Sequence, residues 1–540
     1  MNSLSETVTA TTASGSTGDP ATQDPGESGR ALRVVRDTYT DSLLLLVVTS
    51  VMTGSPGVGW AGAVMGTPAG RENLREQGFE PDAVGANDLV LAVRARSAAD
   101  AQAALDAGDT ALTQASSAAG TTAGAAAGPA PRSMAAAVRT AGPCNVAIIS
   151  VPGAYAALEA HHALTAGLHV LLFSDNVPLE EERELKRRAV ELGLLVMGPG
   201  AGTAVVAGTG LGFANAVRRG PVGVVAAAGT GAQEVSALLD RWGVGVSHVI
   251  GVGGRDLSED VGGLMAISAA RALAADPQTE AILLVSKPPA PSVAAQVLAA
   301  CGETPTVATF LGLSEIAGSP SAQLARTLED GARRVAGLVG HRTPEHTADL
   351  AEQVRAAIRR LDAGPGAGAG LVRGYYSGGT LCYEAQLIIS ELLGAVHSNE
   401  PLVAANTVPA QPDAHVLLDL GAEEYTDGRP HPMIDPTLRI DMMRREARAP
   451  GVAVVLIDVV LGFGAHDDPA GQLAGVCAEI MADGGPQVIA YVLGSANDPQ
   501  DYPAQVATLR AAGALVTETA ADAARAAAAI AGRRLEWLQS

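Results

Sequence analysis

The chain has 540 residues, 47% hydrophobic, 3% aromatic and 17% charged, with 63 glycines, 31 prolines and a mean hydropathy of +0.21. This is a globular composition in a chain too long for one ordinary domain. The 36 basic and 57 acidic side chains leave a formal charge of -21, which repels phosphate backbones and anionic lipid and excludes nucleic acid as the main partner.

Residues 1–30 are rich in Ser, Thr, Gly and acidic side chains and lack the basic and apolar regions of a signal peptide, so they read as a disordered tail. Residues 31–115 read as a small α+β module, with a helix over Ser42–Met52, strands over Val58–Met65 and Asp88–Val93, and a helix over Ala98–Leu112. The stretch 116–131 is almost all Ala, Gly, Thr, Ser and Pro and is expected to be a flexible linker. A second Gly/Ala break at Gly364–Gly370 separates residues 132–363 from 371–540.

The middle block alternates strands and helices: Val146–Val151, Ala154–Ala166, Val170–Phe173, Leu179–Leu192 and Leu194–Met197. That order implies a parallel sheet. Further strands fall at Val222–Ala227, His248–Val252 and Ala281–Val285, with a helix over Ala232–Trp242. A repeat is visible: strand Val222–Ala227 leads into Gly229-Thr230-Gly231 and Glu234, and strand Leu371–Tyr376 leads into Gly379-Thr380 and Glu384. Each is followed by a strand ending in glycine and then by an apolar strand, so the chain holds two similar α/β lobes.

A Gly turn between strand and helix aims backbone N–H groups and the positive helix pole at whatever fills the turn, usually an anion. Three such turns occur, at Gly229-Thr230-Gly231, at Gly379-Thr380, and at Gly462–Pro469, where Gly464 and Ala465 lie in the turn and Asp468 can cap a helix opening with Pro469. Glycines also make tight turns in any parallel sheet. His466 sits in the third turn, at a strand end where doubly wound sheets place ligands; it serves as a candidate acid, base or nucleophile, or as a plain loop histidine. His431 lies in a proline-stiffened loop beside Arg429, and Arg255 occupies the equivalent place in the first lobe; both arginines suit a carboxylate or phosphate. Glu234 and Glu384 stand near helix N-termini, where a structural role is the larger part of the reading.

The four cysteines, Cys144, Cys301, Cys382 and Cys477, show no CxxC spacing, and no HExxH occurs among ten histidines, so no tightly bound metal is expected. No GxSxG elbow, Walker A loop or GxGxxG fingerprint appears in a suitable context. The apolar run Leu43–Val48 is far short of the roughly 20 residues a bilayer span needs. A reducing, cytoplasmic setting without membrane contact is expected.

Several stretches together resemble a known family. Val146–Val206, with Val151-Pro152 and Met197-Gly198-Pro199, resembles the CoA-binding domain of the succinyl-CoA synthetase α subunit, and Gly220–Val225 with Asp276–Ile282 resembles its ligase domain. The segment from Ser377–Thr380 to Gly462–Gly464 is similar to the β subunit's C-terminal ligase domain. Leu172–Pro178, Leu211–Asn215, Gly428–Pro436 and Asp458–Gly462 resemble the signatures of the fused, FdrA-type acyl-CoA synthetases, and Met65–Pro68 and Gly85–Asp88 extend the likeness to the first block.

The resemblance implies an α/β fold with a Rossmann-like CoA-binding domain at 132–215, two flavodoxin-like ligase lobes at 216–363 and 371–540, and the small N-terminal α+β module. It implies CoA at Val151, Pro152, Gly153, Gly198 and Pro199, an acyl phosphate or carboxylate between the helix N-termini after Gly229-Thr230 and after Asp468, which match the family's two power helices, and Glu234 as the glutamate that supports the family's phosphohistidine; His466, at the second of these turns, and His431 stay catalytic candidates. The sequence departs from the family pattern at three points: no Gly-His-Ala-Gly follows Lys287, Gly200-Ala201 replaces Asn-Cys after Pro199, and no ATP-grasp region is present. The expected activity is that of an acyl-CoA synthetase of the succinate–CoA ligase type. The alternatives are a subunit of an oxamate carbamoyltransferase of ureide (allantoin) breakdown using carbamoyl phosphate, and a non-catalytic scaffold. A homo-oligomer or a hetero-complex with partner subunits is expected. Use of nucleotide or Mg is left open.

Overall fold

A computed structural model describes residues 29–539 apart from 37, 39, 41, 82–83, 122–130, 132, 316–321, 345–347, 364–369, 412 and 427–429. The chain forms two compact units, Met1–Ala130 with Glu423–Asp435, and Pro131–Ala422 with Pro436–Ser540. The expected tail up to residue 28 lies outside the described residues; Gly29 and Arg30 already belong to a strand.

In the smaller unit, strands Gly29–Val35, Val58–Met65 and Leu89–Ala95 form one sheet with the third strand in the middle, antiparallel to both others. The first two strands are therefore parallel and joined through helix Ser42–Thr53, a split βαβ arrangement. The central strand explains the layering. Its alternate residues Leu89, Leu91 and Val93 pack with Val48, Met52, Ala101 and Leu105, while Val90 and Ala92 on the other face pack with Leu74, Phe79 and Val84. Helix Ala98–Thr121 extends past residue 115 into the segment expected to be a linker. An alanine-rich stretch too small to build a core still has the best helix propensity, and an existing helix extends into it readily.

The larger unit carries three sheets. Strands Val146–Ile149, His169–Leu172 and Val196–Met197 form a short parallel sheet, flanked by helices Gly153–Thr165 and Leu179–Leu192. In the first lobe, strands Arg219–Ala226, Val246–Gly251, Ala281–Ser286, Thr306–Phe310 and Ala322–Leu324 are parallel, in spatial order 2-1-3-4-5. In the second, Leu371–Tyr376, His415–Asp419, Val452–Val460, Gln487–Leu493 and Leu515–Thr517 repeat that order, with Val396–His397 added at the edge. Both are flavodoxin-like orders. Strands of this kind are buried on both faces, which is why they read as continuous apolar runs.

One boundary moves. Residues 203–212, placed with the Rossmann-like domain from the sequence, form a hairpin, Thr203–Val206 with Thr209–Gly212, that joins the first lobe's sheet antiparallel to Val246–Gly251. Antiparallel pairing needs only a tight turn, here Ala207-Gly208, both at positive φ.

The short sheet is fastened to the first lobe by a buried charge cluster. Lys186, fully buried, donates to Glu182 Oε1 (2.7 Å), Asp256 Oδ1 (2.8 Å) and the Val252 carbonyl (2.9 Å). Asp256 in turn accepts from Met265 and Ala266 N–H, capping helix Leu264–Ala275. Removing one partner of such a set strands the other charges. Lys186→Met is expected to lower unfolding stability in a denaturant titration by about 3–5 kcal/mol; an unchanged midpoint would show that the cluster contributes nothing.

Candidate functional site

In each lobe the first and third parallel strands are neighbours whose following segments diverge, which opens a crevice at their C-terminal ends. In the first lobe that crevice is bounded by Ala228-Gly229, after Arg219–Ala226, and by Lys287, after Ala281–Ser286. In the second it is bounded by Ser377-Gly378-Gly379, after Leu371–Tyr376, and by the Gly462 turn, after Val452–Val460.

The two opening helices, Gly229–Arg241 and Gly379–Leu393, meet N-terminus to N-terminus. The Thr380 N–H donates to Thr230 Oγ1 at 3.3 Å. A Cβ on Gly378 would lie 2.7 Å from Thr230 Cγ2, and one on Gly231 would lie 3.0 Å from Thr380 Cγ2, so these glycines permit the approach. Neither helix has a side-chain cap, and the N–H groups of Gly229, Thr230 and Gly231 find no acceptor among the described residues. Two half-charges of like sign about 4 Å apart repel by roughly 1 kcal/mol at an effective dielectric of ~20. The junction therefore favours negative charge.

Behind the junction each opening helix buries a glutamate that reaches into the other lobe. Glu234 is fully buried and accepts from the Tyr491 hydroxyl and, at 3.5 Å, from the Ala520 N–H that opens helix Ala520–Gly532 of the second lobe. Glu384, equally buried, accepts at 2.7 Å from the Leu328 N–H that opens helix Leu328–Leu338 of the first lobe. Each lobe's glutamate thus caps a helix of the other. Burial pushes Glu234 up to about 7, against the opposing pull of Arg241 and Tyr491, and pushes Glu384 up to about 8. Glu234 was a catalytic candidate; its partners are Tyr491 and a helix end, with no histidine and no open surface, because its helix faces the lobe junction.

The Gly379 pole has its own acidic surroundings. Asp458, fully buried, accepts from the N–H groups of Ser377 (2.8 Å) and Gly378 (2.9 Å) and from the Ser377 hydroxyl, and pairs with buried Arg439 at 2.9 Å. Asp419 lies against Gly379. Lys287 is 3.7 Å from Glu400 and stands over the Tyr383 ring at 5.5 Å.

The remaining expected residues are placed as follows. The helix after the third turn, Pro469–Met481, is capped by Asp468, which accepts from Gly471 N–H, while Gln505 accepts from Ala470 N–H. The capping chemistry read from the sequence is present, and it consumes the donors an external anion would need; Pro469 has none to give. Gly464 lies against Phe213, since a Cβ on it would meet the ring at 3.1 Å, and the Ala465 N–H donates to the Gly462 carbonyl at 3.4 Å. His466 Nδ1 accepts from Asp468 N–H at 3.0 Å. Arg255 donates to the Val177 carbonyl and lies 2.8 Å from Glu182, so its charge is committed to the Lys186 cluster. Arg429 lies outside the described residues, and His431 falls in the smaller unit, its Nδ1 accepting from Met433 N–H.

Val151, Pro152 and Gly153 open helix Gly153–Thr165, which has no side-chain cap. A Cβ on Gly153 would sit 2.4 Å from the Asp175 carbonyl, so glycine lets residues 175–176 close over this turn. Gly198 and Pro199 are buried under Gly253, where a Cβ would meet Gly198 at 2.7 Å; packing rather than an open face holds them.

Residues 211–216 lock the third turn. Asn215 donates to the Leu461 carbonyl and to Asp498, and accepts from Gln233; Gln500 accepts from Gly462 N–H and donates to its carbonyl. Beside this knot a cleft of about 560 Å³ is lined by Gly210, Asn215, Arg218, exposed Phe463 and Asn497.

Lys287 and Asp419 were not singled out from the sequence. Their placement after parallel strands was the available signal. A second unread signal is the repeat Thr-x-x-Asp-x-Ala-Arg at Thr327–Arg333 and Thr519–Arg525, which opens the two helices that Glu384 and Glu234 cap. A carboxyl whose folded pKa exceeds its unfolded value keeps its proton longer in the fold, so its contribution is full below about 4.5 and is lost as pH rises through about 7 to 8. Unfolding stability is expected to fall between pH 5 and 8 by on the order of 1 kcal/mol per unit per group. Glu234→Gln and Glu384→Gln are expected to flatten that slope; a slope unchanged in both variants would contradict it.

Among known proteins, residues 375–530 match the family model described as CoA-ligase, and residues 29–129 match one described as AllF, heavy metal-associated domain. No cysteine or histidine lies between residues 29 and 129, so the donor set there does not fit a thiophilic metal ion. The chain is 38% identical over 505 residues to the uncharacterized protein YahF of Escherichia coli K12, covering 90% of this chain and 95% of that one. It is 30% identical over 148 residues to the mitochondrial succinate–CoA ligase [ADP-forming] subunit alpha-2 of Trichomonas vaginalis, covering 26% of this chain and 47% of that one. Among solved structures, the apo dinucleotide-forming acetyl-coenzyme A synthetase 1 of Ca. Korarchaeum cryptofilum is similar at a TM-score of 0.29 and 16% identity, over 73% of this chain and 84% of that one. With near full-length identity to YahF and a CoA-ligase domain in its second lobe, the chain belongs to the FdrA-type, YahF-like branch of the succinyl-CoA synthetase superfamily.

Proposed function

We propose that this protein is an acyl-CoA synthetase of the succinate–CoA ligase type, in which an acyl phosphate or carboxylate is held at the junction of the two lobes and CoA approaches from the short parallel sheet. The observation that carries the reading is the meeting of two uncapped helix N-termini at Gly229–Gly231 and Gly379–Thr380, with free N–H groups on the first. Backbone donors of this kind stabilise phosphoryl and carboxylate oxygens without a dedicated side chain. The pyrophosphate of CoA is assigned to a further uncapped N-terminus, at Val151, Pro152 and Gly153.

In the transfer step the CoA sulfur attacks the acyl carbon. The C–S bond forms, the C–O bond to phosphate breaks, and the phosphate leaves onto the helix poles, where its charge is already compensated. The thiol proton leaves with the departing phosphate. No histidine is needed for this step, and the segment Pro288–Leu313 contains none. His466 is accordingly assigned no phosphoryl intermediate.

A second reading, transfer of a carbamoyl group from carbamoyl phosphate, is favoured by the same feature, since a preformed acyl phosphate dispenses with a phosphohistidine relay. Activity in either case is expected to involve partner subunits that complete the reaction.

Calorimetric titration with CoA, and separately with carbamoyl phosphate, separates these readings. Wild type is expected to bind CoA, and Ala154→Asp, which places a carboxylate at the exposed start of helix Gly153–Thr165, is expected to weaken it by at least about tenfold while His466→Ala leaves it unchanged. Carbamoyl phosphate binding without CoA would favour the transferase, and binding of neither would leave a scaffold.

A further inference from the structure

The junction holds one acid that the proposed transfer does not use. Asp419 ends strand His415–Asp419 with a side chain that is only 7% exposed. Its Oδ1 accepts from the Gly421 N–H at 3.0 Å, while Oδ2 has no hydrogen-bond partner among the described residues. That oxygen is aimed at the first residue of helix Gly379–Leu393, for a Cβ on Gly379 would lie 2.2 Å from it. The residue is almost enclosed while this oxygen carries no donor among the described residues, so it stands open to a ligand group at the pole.

The groups facing Asp419 are Lys287 after strand Ala281–Ser286, Glu400 after Val396–His397, Cys382 on helix Gly379–Leu393, and Asp458 at the end of Val452–Val460. Asp458 already has Arg439. Lys287 is thus the cation that acts on Asp419, and it belongs to the other lobe. Burial, reinforced by Asp458 and Glu400 and opposed by Lys287, pushes the Asp419 carboxyl up to about 6.

We propose that Asp419 and Lys287 form a proton-gated recognition pair for one carboxylate or phosphoryl oxygen at the Gly379 pole, protonated Asp419 donating a hydrogen bond through Oδ2 and Lys287 neutralising the charge. The inference rests on the junction being the oxyanion site. When ionised, Asp419 is itself an anion at the pole and repels the ligand; when protonated, it adds a donor beside Lys287. Binding should therefore strengthen as pH falls through about 6, and a bound oxyanion should in turn raise the Asp419 pKa further. Because the two residues come from different lobes, ligand and proton together would tie the lobes at this point.

Sulfate is the suitable probe, since its charge is constant from pH 5 to 8 while that of phosphate is not. Calorimetric titration of the full chain is expected to show sulfate binding at least about tenfold tighter at pH 5.5 than at pH 8. Asp419→Asn keeps the acceptor for Gly421 and mimics the neutral acid; it is expected to lose the step centred near pH 6 and to bind close to the wild-type pH 5.5 value up to about pH 6.5, above which only the ionisation of Glu234 and Glu384 behind the poles weakens binding. Lys287→Met is expected to lose binding at both, with circular dichroism confirming that each variant is folded. A step near pH 6 that persists in Asp419→Asn would overturn the gate and leave the junction as an oxyanion site. Absence of sulfate binding by wild type at pH 5.5 would overturn both.

Discussion

Two helices that meet head-on with their positive poles together are the constraint around which the larger unit is organised. Peptide dipoles repel in that arrangement, and the repulsion is fixed by the topology, because a 2-1-3-4-5 sheet places its first helix at the crevice in each lobe. Glu234 and Glu384 bridge the junction from inside, each accepting a hydrogen bond from a helix end that belongs to the opposite lobe. The exchange makes each lobe incomplete alone. It also leaves the front of the junction, at Gly229–Gly231, with donors to spare for a ligand.

The long signature segments take on a physical meaning in this frame. Leu211–Asn215 and Gly462–Gly464 interlock through Asn215, Asp498 and Gln500, and Asp458 holds the Ser377-Gly378 turn with Arg439 behind it. These are buried polar networks with most of their donors and acceptors matched, the kind that specify one arrangement rather than merely add stability. They set the strand ends from which the groups at the junction project.

Periodicity made most of the architecture legible. Strand Leu371–Tyr376 and helix Leu179–Leu192 fall where the pattern put them, because a doubly buried strand and an amphipathic helix each leave a plain trace. The hairpin at 203–212, left without a sheet in the reading of 132–215, pairs with Val246–Gly251 of the first lobe, because a strand carries no mark of its partner and register is a tertiary property. The glycine turns mark three helix N-termini, but the pattern does not distinguish a pole left open from one already capped. Asp468 looked like a strengthening of the third turn and in the fold closes it, while Arg255 looked free and is committed to Glu182. Lys287 and Asp419 were hidden for the opposite reason: a single charged residue after an apolar strand is unremarkable until the other lobe is brought against it.

The central claim is that the open pole at Gly229–Gly231 is where the oxyanion of the reaction rests. A crystal structure of the protein grown or soaked in inorganic phosphate at pH 5.5 tests it most directly. The account predicts phosphate within hydrogen-bond distance of the Gly229, Thr230 and Gly231 amides, beside Lys287 and Asp419. Phosphate bound instead at the start of helix Pro469–Met481 next to His466, with the junction between the lobes empty, would contradict it.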